Sequence, residues 1–542
     1  MRIEGLQKRL NRPPAAPEIL VAGGLLLLLA AVVFGPHVSG WGFFSDDWGD
    51  SAGRYYPPGG ESFSSVVDYF ANTFSYRPVL VVFQPLKYFV LGDSMPAQFA
   101  WTVLLGVAIS TMLYGVLRTL GVPWFHAGMI AALSLIYPWF DSIRIWESAN
   151  PGPLTIALAL AGFWVALEGL RRDSWRWHSV ALVLYFVSIL AYELTLPLIL
   201  AAGLVYTLRV GWMAARARWA ADVCVAALAG LWIGTHTTRT ASGGLSAYFD
   251  HGKEIVEGGA TLVARTFLPV GESSRTGLML TLVGLLLAAG LVVYLLRRTD
   301  VEEQQGWGLR QWLALALAGL CLTALGWAIF IPADPYYTPS IFGITNRVNG
   351  LAGYGLVILA YATVGVGFSA IAELVPPGRR FVTAATVIAA VLLGAAYLRT
   401  LDRHISLWES AYDTQRQGIE TMKKRYPELP EGTTVFTSGF PAYETLGVPI
   451  FAAVWDMNGM IKLEYDDGSL SAYPMLEGMS VACGQEAAGL GAPGTPPIMA
   501  PYGKARFLDL ANGKAAMPRS RQQCERIAPR FVPGPMYLQG AY

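Results

Sequence analysis

Charge is what this sequence has least of. Asp, Glu, Lys and Arg make up 14% of its 542 residues, against roughly a quarter in an ordinary soluble domain. The two signs nearly cancel, to a formal net charge of +1, so a soluble fold is disfavoured and no positive field argues for nucleic acid. Cysteine is scarce as well. Four residues, with no Cys-x-x-Cys and no Cys/His spacing, exclude a disulfide scaffold and leave no metal motif. No internal repeat is visible. What is present is apolar: 54% of the chain is hydrophobic and the mean hydropathy is +0.42.

The apolar residues are gathered into long runs. Stretches near the ~20 residues that cross a bilayer fall at roughly 18–36, 96–117, 124–140, 152–170, 178–192, 196–213, 219–237, 276–296, 310–331, 349–372 and 381–398. This predicts a polytopic α-helical membrane protein of about eleven spans. The fifth and sixth are separated only by AYELTLP, which fits a tight hairpin or one broken segment. The basic opening MRIEGLQKRLNRPPAAPE leads into an apolar run as a signal peptide does. That run, from Ile19 to about Val38, is long, lacks a small-residue cleavage site and precedes further spans, so it reads as a retained anchor.

Orientation follows from where the arginines lie. With the N-terminus cytoplasmic, the inner loops carry Arg118, then Arg171, Arg172 and Arg176, then Arg209, Arg216 and Arg218, then Arg297, Arg298 and Arg310, then Arg379 and Arg380. The outer loops are poorer in base and richer in acid. The protein is therefore expected to be multi-pass in the inner or plasma membrane, with residues 1–402 as the membrane domain and 403–542 as a small α/β extracytoplasmic domain. In that tail Ile405, Trp408, Tyr412, Ile419 and Met422 recur at helical spacing, and TTVFTS reads as a strand. Cys483 and Cys524 both fall there, which is compatible with a disulfide or with two free thiols; Cys224 and Cys321 fall within spans.

Chemistry-bearing residues collect in the outer segments. The loop 37–95 opens with GWGFFSDDWGD, where Asp46 and Asp47 stand among Phe43, Phe44 and Trp48. Apolar surroundings and a like-charged neighbour both raise a carboxylate's pKa, which suits a general base; a solvated acidic loop is the plainer reading. The same loop contains ESFSSVVDYFANTF, expected as a helix along the membrane surface through Val66, Val67, Phe70 and Phe74. It then reaches SYRPV, where Pro78 limits how Arg77 can aim its planar fork of donors. Lipid head groups would satisfy that arginine equally.

A carboxylate pair after the first span, followed in the same loop by an Arg-Pro element, resembles the membrane glycosyltransferases of the GT-C superfamily. SDDW and SYRPV are most similar to the branch of protein O-mannosyltransferases and their bacterial relatives. The resemblance covers about residues 18–400 and rests on two short strings; the tail matches no named carbohydrate-binding domain. It implies transfer of a sugar from a polyprenyl-phosphate donor to a protein, glycan or lipid acceptor on the outer face. Asp46 or Asp47 would take the acceptor proton in a single, inverting displacement, and cationic side chains would steady the departing phosphate.

Further candidates come from the loops themselves. GITNRVNG places Asn346, Arg347 and Asn349 at the entry to a span, beside DPYY with Asp334, Tyr336 and Tyr337. There Arg347 suits a phosphate, snorkelling, or a pair with Asp334. Arg239, in THTTRT, is a second phosphate candidate, while His236 reads as an interfacial histidine. DSIRIWESANPGP offers Arg144, Trp146, Glu147 and Asn150 for sugar hydroxyls and a sugar face, unless Arg144 and Glu147 simply pair. Glu193, at the outer boundary, needs a partner and fits either a substrate role or one of the arginines. Asp46 and Asp47 are also candidates for a divalent cation, though two carboxylates fall short of about six oxygen ligands. Competing classes are an O-antigen-type ligase or polymerase, a non-catalytic subunit of a membrane complex, and a lipid or sugar transporter. Spans almost free of midplane charge count against the last.

Overall fold

The computed structural model describes residues 14–60, 62–237, 245–269, 307–374 and 379–538; the expected span at 276–296 and Arg239 lie outside the described residues. The membrane part is helical throughout. In chain order it contains α1 (Ala16–Phe34), α2 (Asp46–Tyr55), α3 (Phe63–Thr73), α4 (Pro78–Leu91), α5 (Met95–Thr119), α6 (Trp124–Leu135) and α7 (Pro151–Arg171). Then follow α8 (Trp175–Ala191), α9 (Leu196–Val210), α10 (Trp212–His236), α11 (Leu245–Phe267), α12 (Leu309–Ala328), α13 (Gly350–Leu374) and α14 (Arg379–Arg425). Among the described residues 8 helices are long and apolar enough to cross a membrane, and α4, α6 and α8 are shorter apolar helices. The chain is a multi-pass membrane protein.

Prolines set where helices stop. The stretch expected at 124–140 ends after α6 because Pro138 forces Tyr137 into the extended region, φ −64° and ψ 120°. In AYELTLP the chain breaks at Tyr192, which is extended at φ −163°, and restarts as α9 with Pro197 in its first turn. The segment is therefore two helices joined by one 3-10 turn, Glu193–Thr195.

Two expectations for the soluble elements change. The apolar face of α3, expected to lie on lipid, is covered by protein: Val66 and Phe70 pack with Tyr88 of α4. Nor does the chain break near residue 402. α14 runs unbroken for 47 residues, about 70 Å at 1.5 Å per residue, more than twice the ~30 Å hydrocarbon layer. Its second half buries Ile405, Trp408 and Met422, and Trp408 meets Phe44 edge to face at 4.7 Å.

The C-terminal unit is α/β. A four-stranded sheet in the order β4-β1-β8-β9 is built from β1 (Thr434–Ser438), β4 (Ser471–Pro474), β8 (Ala505–Asp509) and β9 (Ala515–Ala516). β1 lies parallel to both β4 and β8, with Val435 opposite Ala472 and Arg506. The crossover from β1 to β4 carries α15 (Val454–Tyr465), as a parallel pair requires. A small hairpin, β2 (Tyr443–Thr445) with β3 (Val448–Pro449), and an antiparallel sheet of β5 (Ser480–Cys483), β6 (Ala487–Gly491) and β7 (Ile498–Pro501) complete it. A disulfide joins Cys483, at the end of β5, to Cys524 in α16 (Arg521–Ile527). α15 is the element that matters for the site. It lies so close on α2 that a Cβ on Gly459 would fall 2.2 Å from the Trp48 carbonyl oxygen, so only glycine fits.

Candidate active site

The two adjacent aspartates do different work. Ser45, just before α2, sits at φ 48°, an uncommon conformation for a residue with a side chain, and Asp47 holds it there. Asp47 is buried; one oxygen accepts the Phe44 N–H at 2.9 Å, and the other accepts the Ser148 N–H at 2.8 Å and the Ser148 hydroxyl at 2.6 Å. Burial raises its pKa to about 7 against the pull of those donors. The two bonds from Ser148 pin the loop onto the turn Glu147–Ala149. Asp46 is half-buried, and one oxygen accepts the indole N–H of Trp455, from α15, at 2.7 Å. Trp455 is itself 53% exposed, so Asp46 faces the open side of the site.

Behind the pair lies a buried charge cluster. Asp50, one turn along α2, is pushed up to about 8, first by burial and then by the neighbouring charge of Asp46. Lys87 of α4 forms a buried ion pair with Glu147, which also accepts the Tyr88 hydroxyl at 3.2 Å. Burial draws the Lys87 ammonium down to about 7, opposed by the charges of Asp50 and Asp47.

The two described arginines differ in what they already hold. Arg77 spends Nε and one terminal nitrogen on Glu193, at 3.1 and 2.7 Å, and lies over Tyr192 at 4.1 Å. Glu193 thus forms an ion pair with Arg77. Arg347 sits among aromatic faces, 5.0 Å from Trp146, 5.3 Å from Tyr337 and 6.0 Å from Tyr336. It makes no ion pair among the described residues, and its Nε has no hydrogen-bond partner. Asp334 instead accepts the Tyr336 N–H at 2.9 Å. Tyr192 and Tyr336 both feel the Arg347 charge, and Tyr336 also feels Asp46, so acid, base and tyrosine share one place.

Several expected sugar ligands are buried and already hold protein partners. Arg144 is buried in the bundle, donating to the Tyr137 carbonyl at 3.0 Å and to that of Ser134 and lying over Phe140; the single helical turn that carries it aims it inward. Glu147 pairs with Lys87, neither with Arg144 nor toward solvent. Trp146 is buried, with its N–H on the Phe44 carbonyl at 3.0 Å, and its ring serves Arg347 rather than an open sugar face. Trp48 is buried edge to face on Phe43. Asn346 is buried too: it accepts from the Ser142 N–H at 3.2 Å and donates to Asp141, fixing the turn that bears Arg347. Tyr336 alone of this group is open, at 47% exposure. His236 is exposed and stacks on Trp232 at 4.0 Å.

Ser148, Asp50, Lys87, Tyr192 and Trp455 stand beside these residues, and almost nothing local in the sequence marks them. A lysine inside the apolar run QPLKYF was the one local signal, since a charge there demands a partner. Among the described residues no group of three or more His, Cys, Asp or Glu side chains could hold a metal ion.

These features define a helical membrane protein whose C-terminal α/β unit closes over an acid and an arginine that has no ion pair among the described residues. Among solved structures, the chain is similar to ArnT from Cupriavidus metallidurans. With undecaprenyl phosphate bound, that protein aligns at 14% identity over 78% of this chain and 83% of its own, TM-score 0.35. In its apo state it aligns at 16% over 77% and 82%, TM-score 0.32. No protein-family model and no curated protein matches the sequence.

Proposed function

We propose that the chain is a GT-C type glycosyltransferase that moves a sugar from a polyprenyl-phosphate donor to an acceptor hydroxyl on the outer face of the membrane. The observation that carries this reading is the meeting of Asp46, half-buried and facing the open side, with Arg347, an arginine with no ion pair among the described residues, across Tyr336. A cation held among rings with an unbonded Nε is costly without an anion, and the aromatic faces offset part of that cost. A phosphate supplies the rest, and Arg binds phosphate through paired donors.

In the proposed reaction the acceptor oxygen attacks the anomeric carbon as the bond from that carbon to the phosphate oxygen breaks. Asp46 takes the acceptor proton, and the phosphate leaves with the bonding pair against Arg347. One displacement inverts the anomeric centre. Trp455 orients the Asp46 carboxylate through its N–H, and Asp47 fixes the loop. Arg77, engaged by Glu193, steadies Tyr192 beside the phosphate. The N-terminus is then cytoplasmic, and residues 403–542 stand outside with the last half of α14. Neither the O-mannosyltransferase-like branch nor the identity of the sugar enters the mechanism.

The test is direct. Purified protein in lipid nanodiscs, given a radiolabelled polyprenyl-phosphate hexose or pentose, should hydrolyse or transfer the sugar. Intact donor after prolonged incubation with each, together with no donor binding, would sink the reading.

A further inference from the structure

A cleft of about 550 Å³ opens between α11, the segment before Arg347 and the C-terminal unit, within the roughly 300–1,000 Å³ of small-molecule sites. Tyr336, Tyr443 and Tyr537 line it, with Thr338, Ser340 and Thr345. Tyr336 belongs to both places, since it also faces Arg347 and feels the charge of Asp46. We infer that this cleft is the acceptor site and that the acceptor is a neutral glycan chain, an assignment that rests on the glycosyltransferase reading above.

Three features select a glycan. No charged side chain lines the cleft among the described residues, so an acidic or basic acceptor finds no partner, and burying its charge would be costly. Tyrosine rings offer broad apolar faces with a polar tip, which suits a sugar ring with one apolar face and a rim of hydroxyls. Ser340 and Thr345 both donate to the Phe342 carbonyl; Ser340 also accepts the Phe342 N–H at 3.3 Å, which leaves one lone pair on Ser340 and the Thr345 oxygen as acceptors for hydroxyl groups. A peptide would be expected to add to a free strand edge. Here the Tyr443 backbone is already taken, its N–H by the Met536 carbonyl and its carbonyl by the Leu538 N–H, both at 2.9 Å.

Five of the fourteen lining residues come from the C-terminal unit, so that unit helps to choose the acceptor. Tyr443 and Tyr537 lie 5.9 Å apart, centre to centre, as a two-ring platform leading toward Tyr336.

The experiment reads binding and transfer separately on the full chain in nanodiscs. Without donor, a panel of neutral hexose tetrasaccharides of different linkage is screened by saturation-transfer NMR beside a Ser/Thr-rich peptide. At least one tetrasaccharide should bind, and Tyr443→Ala or Tyr537→Ala should weaken it about tenfold or more, with Tyr443→Phe close to the parent. With labelled donor, the same two Ala variants should raise the acceptor KM while donor hydrolysis without acceptor stays at the parent rate. No tetrasaccharide binding, binding indifferent to both Ala variants, or label passing only to the peptide overturns the glycan cleft. Tetrasaccharide binding with no donor turnover in the parent overturns the transferase reading and leaves a glycan-binding protein.

Discussion

Replacing each aspartate by asparagine separates the chemistry of the pair from its architecture. Asp46→Asn keeps an oxygen for the Trp455 N–H, the one close hydrogen bond that Asp46 makes outside its own turn, so the fold should lose less than about 1 kcal/mol. What disappears is the basic oxygen. A positioned base contributes about 10²–10⁴ in rate, or roughly 3–5 kcal/mol of activation free energy, and kcat should fall by that factor with donor affinity unchanged. Asp47→Asn behaves oppositely. Its two oxygens receive three donors, and an amide must point its NH₂ at one of them, leaving a buried donor unsatisfied at about 1–3 kcal/mol. That variant should melt several degrees lower and lose activity through the displaced loop. Single-turnover transfer of labelled sugar, donor binding and thermal melting are measured on both. Parent-rate turnover by Asp46→Asn would refute the assignment of the base. So would an Asp47→Asn protein as stable as the parent and catalytically dead, because that pattern would make Asp47 the base.

Arg347→Lys keeps the charge and loses the paired donors, so donor affinity should drop at least tenfold; isothermal titration with polyprenyl phosphate decides it, and unchanged affinity in Arg347→Ala removes the residue from the site. Glu193→Gln should free Arg77 and shift donor affinity far less than Arg347→Ala does, read in the same titration. The Cys483–Cys524 bridge closes 41 residues, so replacing both by Ser should cost the C-terminal unit up to about 4 kcal/mol, seen as a lower melting temperature that reducing agent reproduces in the parent. Burial and Asp46 hold Asp50 protonated to about 8, above the unfolded range. Its linked stability is therefore complete below pH ~4 and lost as pH rises toward 8. Amide protection of α2, corrected for intrinsic exchange, should fall over that interval in the parent and fall less in Asp50→Asn, where Asp47, raised to about 7, is the remaining buried carboxyl of α2.

What could be read from the sequence was whatever the physics makes local. The amphipathic turns of α14 follow from Ile405, Trp408, Tyr412, Ile419 and Met422, and the start of β1 from its β-branched run. The continuity of α14 was hidden because Arg399, Asp402 and Arg403 look like a membrane boundary, yet none of them interrupts helical backbone. Site partners were illegible for a different reason. Asp47 meets Ser148 across 101 residues, Arg77 meets Glu193 across 116, and Trp455 meets Asp46 across 409. Spacing along the chain carries no trace of such pairs. Arg144 and Glu147 looked like a helical pair at i,i+3, and a turn of only four residues, Ser142–Ile145, sends them in opposite directions.

The unbroken α14 makes the C-terminal unit a geared part rather than a tethered one. A flexible linker would let that unit find its own seat, whereas a rigid shaft dictates its height and bearing, and one inserted residue in the middle of α14 would turn it by roughly 100° and lift it about 1.5 Å. The same shaft is seated in lipid, and a helix adjusts its tilt to the thickness of the hydrocarbon around it. Any such tilt is delivered at the far end, where α15 holds Trp455 against Asp46. Bilayer thickness thereby becomes one of the coordinates of the site, and reconstitution in lipids of different acyl length is where that dependence would show.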